Sequence, residues 1–147
     1  MYKRRIGMTI IHKSVVGILM LLGVSTVWAD DRICRGSLGA VHIEDNVKVP
    51  QGANCQMNGT RVDGNIEVYS QASLKLNNAH VDGNVISKKA KSIDILSSNI
   101  DGNIEAKTYT PTFKVNKTTV DGNIVCEQGS RLQGTKNRVD GNIECRR

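Results

Sequence analysis

The chain has 147 residues with 20 Lys and Arg against 14 Asp and Glu, a formal net charge of +6. This size is the expectation for one domain. Four of the basic residues (Lys3, Arg4, Arg5, Lys13) and none of the acidic ones lie in residues 1–29, so the other 118 carry 16 minus 14, only +2, and no basic excess pointing to nucleic acid. Trp28 lies there too, leaving Tyr69, Tyr109 and Phe113 as the aromatics of the remainder, too few for a series of stacking platforms under nucleobases or sugar rings.

The first element is "MYKRRIGMTIIHKSVVGILMLLGVSTVWAD". A basic start is followed by an apolar run from Val15 to Val27, with Val27 and Ala29 at the −3 and −1 positions of a small-residue cleavage site. This predicts a secretory signal peptide over 1–29, cleaved after Ala29. The run is shorter than the ~20 residues of a spanning helix, so no stable membrane span is expected once the leader is removed. Export to the periplasm, the cell envelope or the exterior follows.

After an irregular N-terminal cap or first coil over 30–42, residues 43–147 repeat. "IEDNV" at 43 is a degenerate first copy of "VDGNI" at 62, "VDGNV" at 81, "IDGNI" at 100, and "VDGNI" at 120 and 139, with steps of 19, 19, 19, 20 and 19. A fixed period of this length is the mark of a repeat architecture. With the leading Val or Ile as position zero, that column holds Ile43, Val62, Val81, Ile100, Val120 and Val139. Position four holds Val47, Ile66, Val85, Ile104, Ile124 and Ile143, and position six holds Val49, Val68, Ser87, Ala106, Cys126 and Cys145. Position twelve holds Cys55, Leu74, Ile93, Phe113 and Leu132; position fourteen holds Met57, Leu76, Ile95 and Val115, until Gly134 breaks the column.

Spacings of two within each short run are the strand period, and β-branched residues dominate them. Hairpins in a meander would alternate direction and would not return the same residue type at every repeat. The prediction is an all-β, single-domain parallel β-solenoid of about six coils, each of ~19 residues with three short strands, stacked ~4.8 Å apart.

Each "DGN" is expected to turn a corner. Gly64, Gly83, Gly102, Gly122 and Gly141 would supply a left-handed or otherwise strained conformation, and the preceding Asp would bond local backbone. Asn65, Asn84, Asn103, Asn123 and Asn142, with Asn46 in the first copy, would stack into a side-chain ladder. Glu44, Asp63, Asp82, Asp101, Asp121 and Asp140 form a column of one carboxylate per coil. It reads as solvated turn acceptors screened by Arg61 and Arg138, binding hydrated cations weakly at most, so neither a metal nor a cofactor is assigned. His42 and His80 stand two coils apart, too far to share a ligand, and "KKAK" at 88–91 reads as a solvated turn.

Four cysteines in an exported chain suggest two disulfides. Cys126 and Cys145 share position six of adjacent coils, within disulfide reach, and Cys34 aligns above Cys55 at position twelve if the first coil carries a two-residue insertion. The pairs 34–55 and 126–145 would staple the two ends, where a solenoid has a neighbour on one side only.

The stretch "VDGNIEVYSQASLKLNNAHVDGNVISKKAKSIDILSSNIDGNIEA" resembles the bactofilins, polymer-forming bacterial cytoskeletal proteins built on similar V-x-G-N/D-I repeats, and the likeness runs from Ile43 to Cys145. The resemblance implies a right-handed β-helix and scaffolding by self-association into a homo-oligomer or polymer, without nucleotide or catalysis. Two features depart from that family: the export signal with its cysteines, and a last coil ending "ECRR" that reads as capped. The expected function is therefore a non-enzymatic structural or self-associating module of the cell envelope, with itself or an envelope component as partner. A secreted adhesin-like or ligand-binding surface module is the alternative. A polysaccharide-acting enzyme ranks behind both, because the even spacing leaves no long loops between coils.

Overall fold

A computed structural model describes residues 31–145; the signal peptide expected over 1–29 lies outside them. Every coil contributes one strand to each of three parallel sheets. The first sheet stacks Arg32–Ile33, Val47–Val49, Ile66–Val68, Val85–Ser87, Ile104–Ala106, Ile124–Cys126 and Ile143–Glu144. The second stacks Gly36–Leu38, Asn54–Asn58, Ser73–Asn77, Ser92–Leu96, Thr112–Asn116 and Leu132–Gln133. The third stacks His42–Ile43, Arg61–Val62, His80–Val81, Asn99–Ile100, Thr119–Val120 and Arg138–Val139. At strand spacing the seven strands of the first sheet make a rod roughly 30 Å long.

The sequence columns are the structural registers. Val85 pairs with Ile66 and Ile104, Ile93 with Leu74 and Phe113, and Ile100 with Val81 and Val120. Alternation sends positions zero, four, six, twelve and fourteen inward, where Val62, Ile66, Leu74, Ile95, Ile104 and Phe113 are buried. Each fully buried aliphatic side chain contributes on the order of 1.5–3 kcal/mol, and stacking like on like lets each coil bury its apolar edge against the next. The step of 20 is absorbed between the first and second sheets. Ser87 to Ile93 is matched by Ala106 to Phe113, one residue longer, so the insertion lies within 107–112.

Residues 31–42 are more regular than a cap: Arg32 pairs with Val47, Gly36 with Cys55 and His42 with Arg61, a complete coil. This register corrects the alignment behind the first disulfide. Gly36, not Cys34, stands over Cys55, and Cys34, next after Ile33 (paired with Lys48), continues the column of Val49. No insertion is needed. The Cys34–Cys55 bond crosses from the first sheet to the second, with a Cα separation of 5.6 Å. Cys126 and Cys145 bond in one column as expected, at a Cα separation of 4.6 Å.

Left-handed backbone occurs at two of the three corners. Between the first and second sheets it falls at Gly52, Gln71, Lys89 and Gln128; between the second and third at Gly59, Asn78, Ser97, Lys117 and Lys136. The Asp-Gly-Asn corner, between the third and first sheets, has no residue with positive φ. Among the described residues no helix is long and apolar enough to cross a membrane.

Candidate functional site

The Asp-Gly-Asn corner runs the length of the rod as one ridge, and glycine is required there by contact rather than by conformation. A Cβ built on Gly83 would lie 2.5 Å from the carbonyl oxygen of Gly64 in the coil before, and one on Gly102 would lie 2.5 Å from that of Gly83. Gly122 and Gly141 meet the Gly102 and Gly122 carbonyl oxygens at 2.6 Å, and Gly64 meets the Asn46 backbone nitrogen and side-chain oxygen at 2.7 Å. The coils approach closely enough for the Gly102 N–H to reach the Gly83 carbonyl at 3.2 Å, with the same contact from Gly122 to Gly102.

Beside this spine stands the asparagine ladder. The Asn46 side-chain oxygen accepts the Asn65 backbone N–H at 2.9 Å, and the pattern repeats from Asn65 to Asn84, Asn84 to Asn103, Asn103 to Asn123 and Asn123 to Asn142 at 2.7–2.8 Å. Amide-to-amide bonds join three of these steps, the tightest being Asn84 Nδ2 to Asn65 Oδ1 at 2.9 Å. Each amide thus satisfies a backbone donor of the next coil at the turn, where the sheet ladder is interrupted.

Asp63, Asp82, Asp101 and Asp140 find side-chain partners at the position before a repeat rather than local backbone, whereas Asp121, preceded there by Thr119, makes no side-chain hydrogen bond or ion pair among the described residues. Asp63 accepts from His42 Nε2 at 2.8 Å and from Arg61 Nε at 3.2 Å; Arg61 also reaches Asp82 at 2.7 Å, spanning two coils. Arg138 pairs with Asp140 at 3.0 Å, and its guanidinium is held charged still more firmly by that contact. The hydrogen bond from His42 is the main reason Asp63 titrates below the usual aspartate range, with Arg61 adding to it. On the first sheet's outer face Glu67 is lowered chiefly by the Tyr69 hydroxyl, which donates to it at 2.7 Å, and by Lys88 at 3.0 Å. Lys88, expected in a solvated turn, lies 5.1 Å from the Tyr69 ring centre.

One cluster on this ridge has metal-ligand chemistry. His80 Nε2, Asp82 Oδ1 and Asp101 Oδ2 all lie within 4.8 Å of one another. Its hydrogen bonds place a proton where a cation would need a lone pair. Asn99 Nδ2 donates to Asp101 Oδ1 at 2.6 Å and faces His80 Nδ1 at 3.3 Å, so Nδ1 accepts and the ring proton sits on Nε2. His80 Nε2 lies 2.6 Å from Asp82 Oδ1 and 3.6 Å from Asp101 Oδ2, the first contact misaligned and the second too long for a hydrogen bond, so Asp82 Oδ1 is buried without a hydrogen-bond partner, while the Arg61 guanidinium pairs with the other Asp82 oxygen at 2.7 Å. His80, Asp82, Asp101 and Arg61 together form a charge network on the ridge.

Sequence reasoning missed a second class of buried polar group. Ser87 Oγ and Thr110 Oγ1 share a hydrogen bond of 2.7 Å inside the corner after the first sheet, and Ser130 Oγ accepts the Thr110 N–H at 2.9 Å. At the next corner Ser98 Oγ accepts the Ala79 N–H, and Thr118 Oγ1 donates to the Asn116 carbonyl. The signal available was Ser or Thr recurring just outside the strand columns. Comparison with protein-family models, with curated proteins and with solved structures returns no match.

Proposed function

We propose that the chain is an exported, non-enzymatic structural module of the cell envelope, a stiff β-solenoid rod that associates with further copies of itself. The single observation that carries this reading is Ile143. It belongs to the inward column that buries Ile124 and Ile104 completely, yet it is 53% exposed because no described coil stacks on it. At the first coil the same inward column begins with Arg32, in register with Val47, while Ile33 is exposed on the outer face in register with Lys48. A rod whose apolar column ends open offers another copy the same contact that joins its own coils.

Export is supported by two disulfides, which persist in oxidising compartments. A structural rather than catalytic role is supported by the ridge, where the side chains of His42, Arg61, Asp63, His80, Asp82, Asp101, Arg138 and Asp140 are engaged with one another. Light scattering on the purified, disulfide-intact protein over a concentration series tests the reading: mass rising with concentration is expected, and a constant monomer mass would overturn it. A ligand-binding surface module is the second reading, favoured by one exposed tyrosine at the irregular corner, Tyr109.

A further inference from the structure

The step of 20 residues places its extra residue at the corner after Ile104–Ala106, and the surplus chain there is held rigidly. Thr110 turns inward and is buried, bonded to Ser87 Oγ and Ser130 Oγ, while the Thr108 carbonyl accepts from Thr110 Oγ1 and Ser130 Oγ, both at 3.1 Å. Pro111 fixes the backbone on the far side. Tyr109, between these anchors, is pushed outward and stands 57% exposed, its hydroxyl making no hydrogen bond among the described residues. An aromatic ring presented on a rigid base is preorganised for contact, because little side-chain and loop ordering remains to be lost on binding.

Around that ring lies a groove of about 400 Å³, lined by Gln71, Lys89, Lys91, Tyr109, Pro111 and Gln128 among others. Lys88 and Lys107 at the same corner are matched by Glu67 and Glu105. Lys89 and Lys91 form no ion pair among the described residues, so the groove holds two uncompensated ammonium groups. Glu127 lines the adjoining recess instead. The corner between the first and second sheets offers one outward group per coil: the amide of Gln71, the ammonium of Lys89, the ring of Tyr109, the amide of Gln128.

We propose that this corner groove binds an anionic glycan, with a uronate ring against the face of Tyr109, its carboxylate held by Lys89 and Lys91, and the flanking amides on sugar hydroxyls. Charge sets the sign of the ligand and spacing selects its class. A pyranose chain advances by about one coil step of ~4.8 Å per residue, so each sugar meets the next coil's side chain in turn; an extended peptide advances ~3.3 Å and falls out of step. The scarcity of aromatics limits stacking to one ring. The proposal rests on the reading of the chain as an envelope module, since such polymers are envelope material, but it does not require self-association.

Calorimetric titration of the purified, disulfide-intact protein with a short 1→4-linked oligouronate, the matching neutral oligoglucoside and poly-glutamate tests it. The expected result is saturable binding of the oligouronate, with Tyr109→Ala and the double change Lys89→Gln, Lys91→Gln each weakening it about tenfold or more, as loss of one stacking or charged contact does. Both changes lie on exposed side chains, and an unchanged melting temperature shows that the fold is intact. No saturable binding, or oligouronate binding that Tyr109→Ala leaves unaltered, would overturn the proposal. Equal binding of poly-glutamate would overturn it as well, by reducing the groove to a general polyanion contact. A protein that binds the oligouronate yet stays monomeric by light scattering contradicts the scaffold and leaves the groove standing.

Discussion

At the scale of the residue, the ridge glycines separate two uses of glycine that sequence alone runs together. Gly52 has φ +70° with open space around its Cβ position, so alanine there meets backbone strain only, about 1 kcal/mol. Gly102→Ala instead drives a methyl group against the Gly83 carbonyl and should force two coils apart, at a cost of about 1–3 kcal/mol or more. Denaturant unfolding of both variants checks the order; equal losses would mean the corner is conformational after all. Reading the Asp-Gly-Asn corner from turn propensity located the right residues for the wrong reason, because the nearest obstruction comes from a residue 19 positions away. The same holds in part for the carboxylates: Asp63 takes His42, and Asp82 takes Arg61, from the coil before. Because Asp63 and Glu67 titrate below their unfolded values of 3.8 and 4.5, the stability they contribute is present above those values and lost as pH falls through the lower folded ones. Melting temperature followed downward from pH 5 should therefore drop in the acid limb, and Asp63→Asn should shrink that drop; an unchanged limb would contradict the pairing with His42.

At the scale of the element, the strands were legible because their inward residues repeat in register, which a parallel stack makes visible as columns. Ile104 and Leu74 are buried completely or nearly so, and replacing either by Ala should cost on the order of 2–4 kcal/mol, whereas Asp101→Asn on the outer ridge should change little. Comparable losses at all three would contradict the inward and outward assignment. The disulfides were legible as pairs, but only Cys126–Cys145 for the right geometric reason. Cys34 lies in a strand column that the degenerate first coil hid, since Gly36 gave position twelve no apolar marker. Their sequence separations of 21 and 19 give each bridge about 3 kcal/mol by the chain-entropy estimate. Hydrogen exchange on the reduced protein should show the first and last coils opening before the centre. Uniform exchange along the rod would contradict their role as end staples.

At the scale of the whole molecule, fold and function were legible to very different degrees. Periodicity specifies a solenoid because every coil repeats the same solution to burying its edge, and six near-copies restate it. The proposed functions fall where the repeat breaks, at the end and at the Tyr109 corner, and there the sequence has no second copy to compare. The insertion could be counted in the sequence, but not that Thr110 would turn inward and Tyr109 outward, since that depends on Ser87 and Ser130 in neighbouring coils. The open column at Ile143 is likewise a property of the stack rather than of the residue.

The central claim, that the rod builds larger assemblies through its open apolar end at Ile143, is tested most directly by electron microscopy of the disulfide-intact protein beside Ile143→Asp. The account predicts rods several times longer than the roughly 30 Å of one chain at high concentration, reduced to single units by the substitution with the fold retained. Single rods at every concentration, or long rods that Ile143→Asp leaves intact, would contradict it.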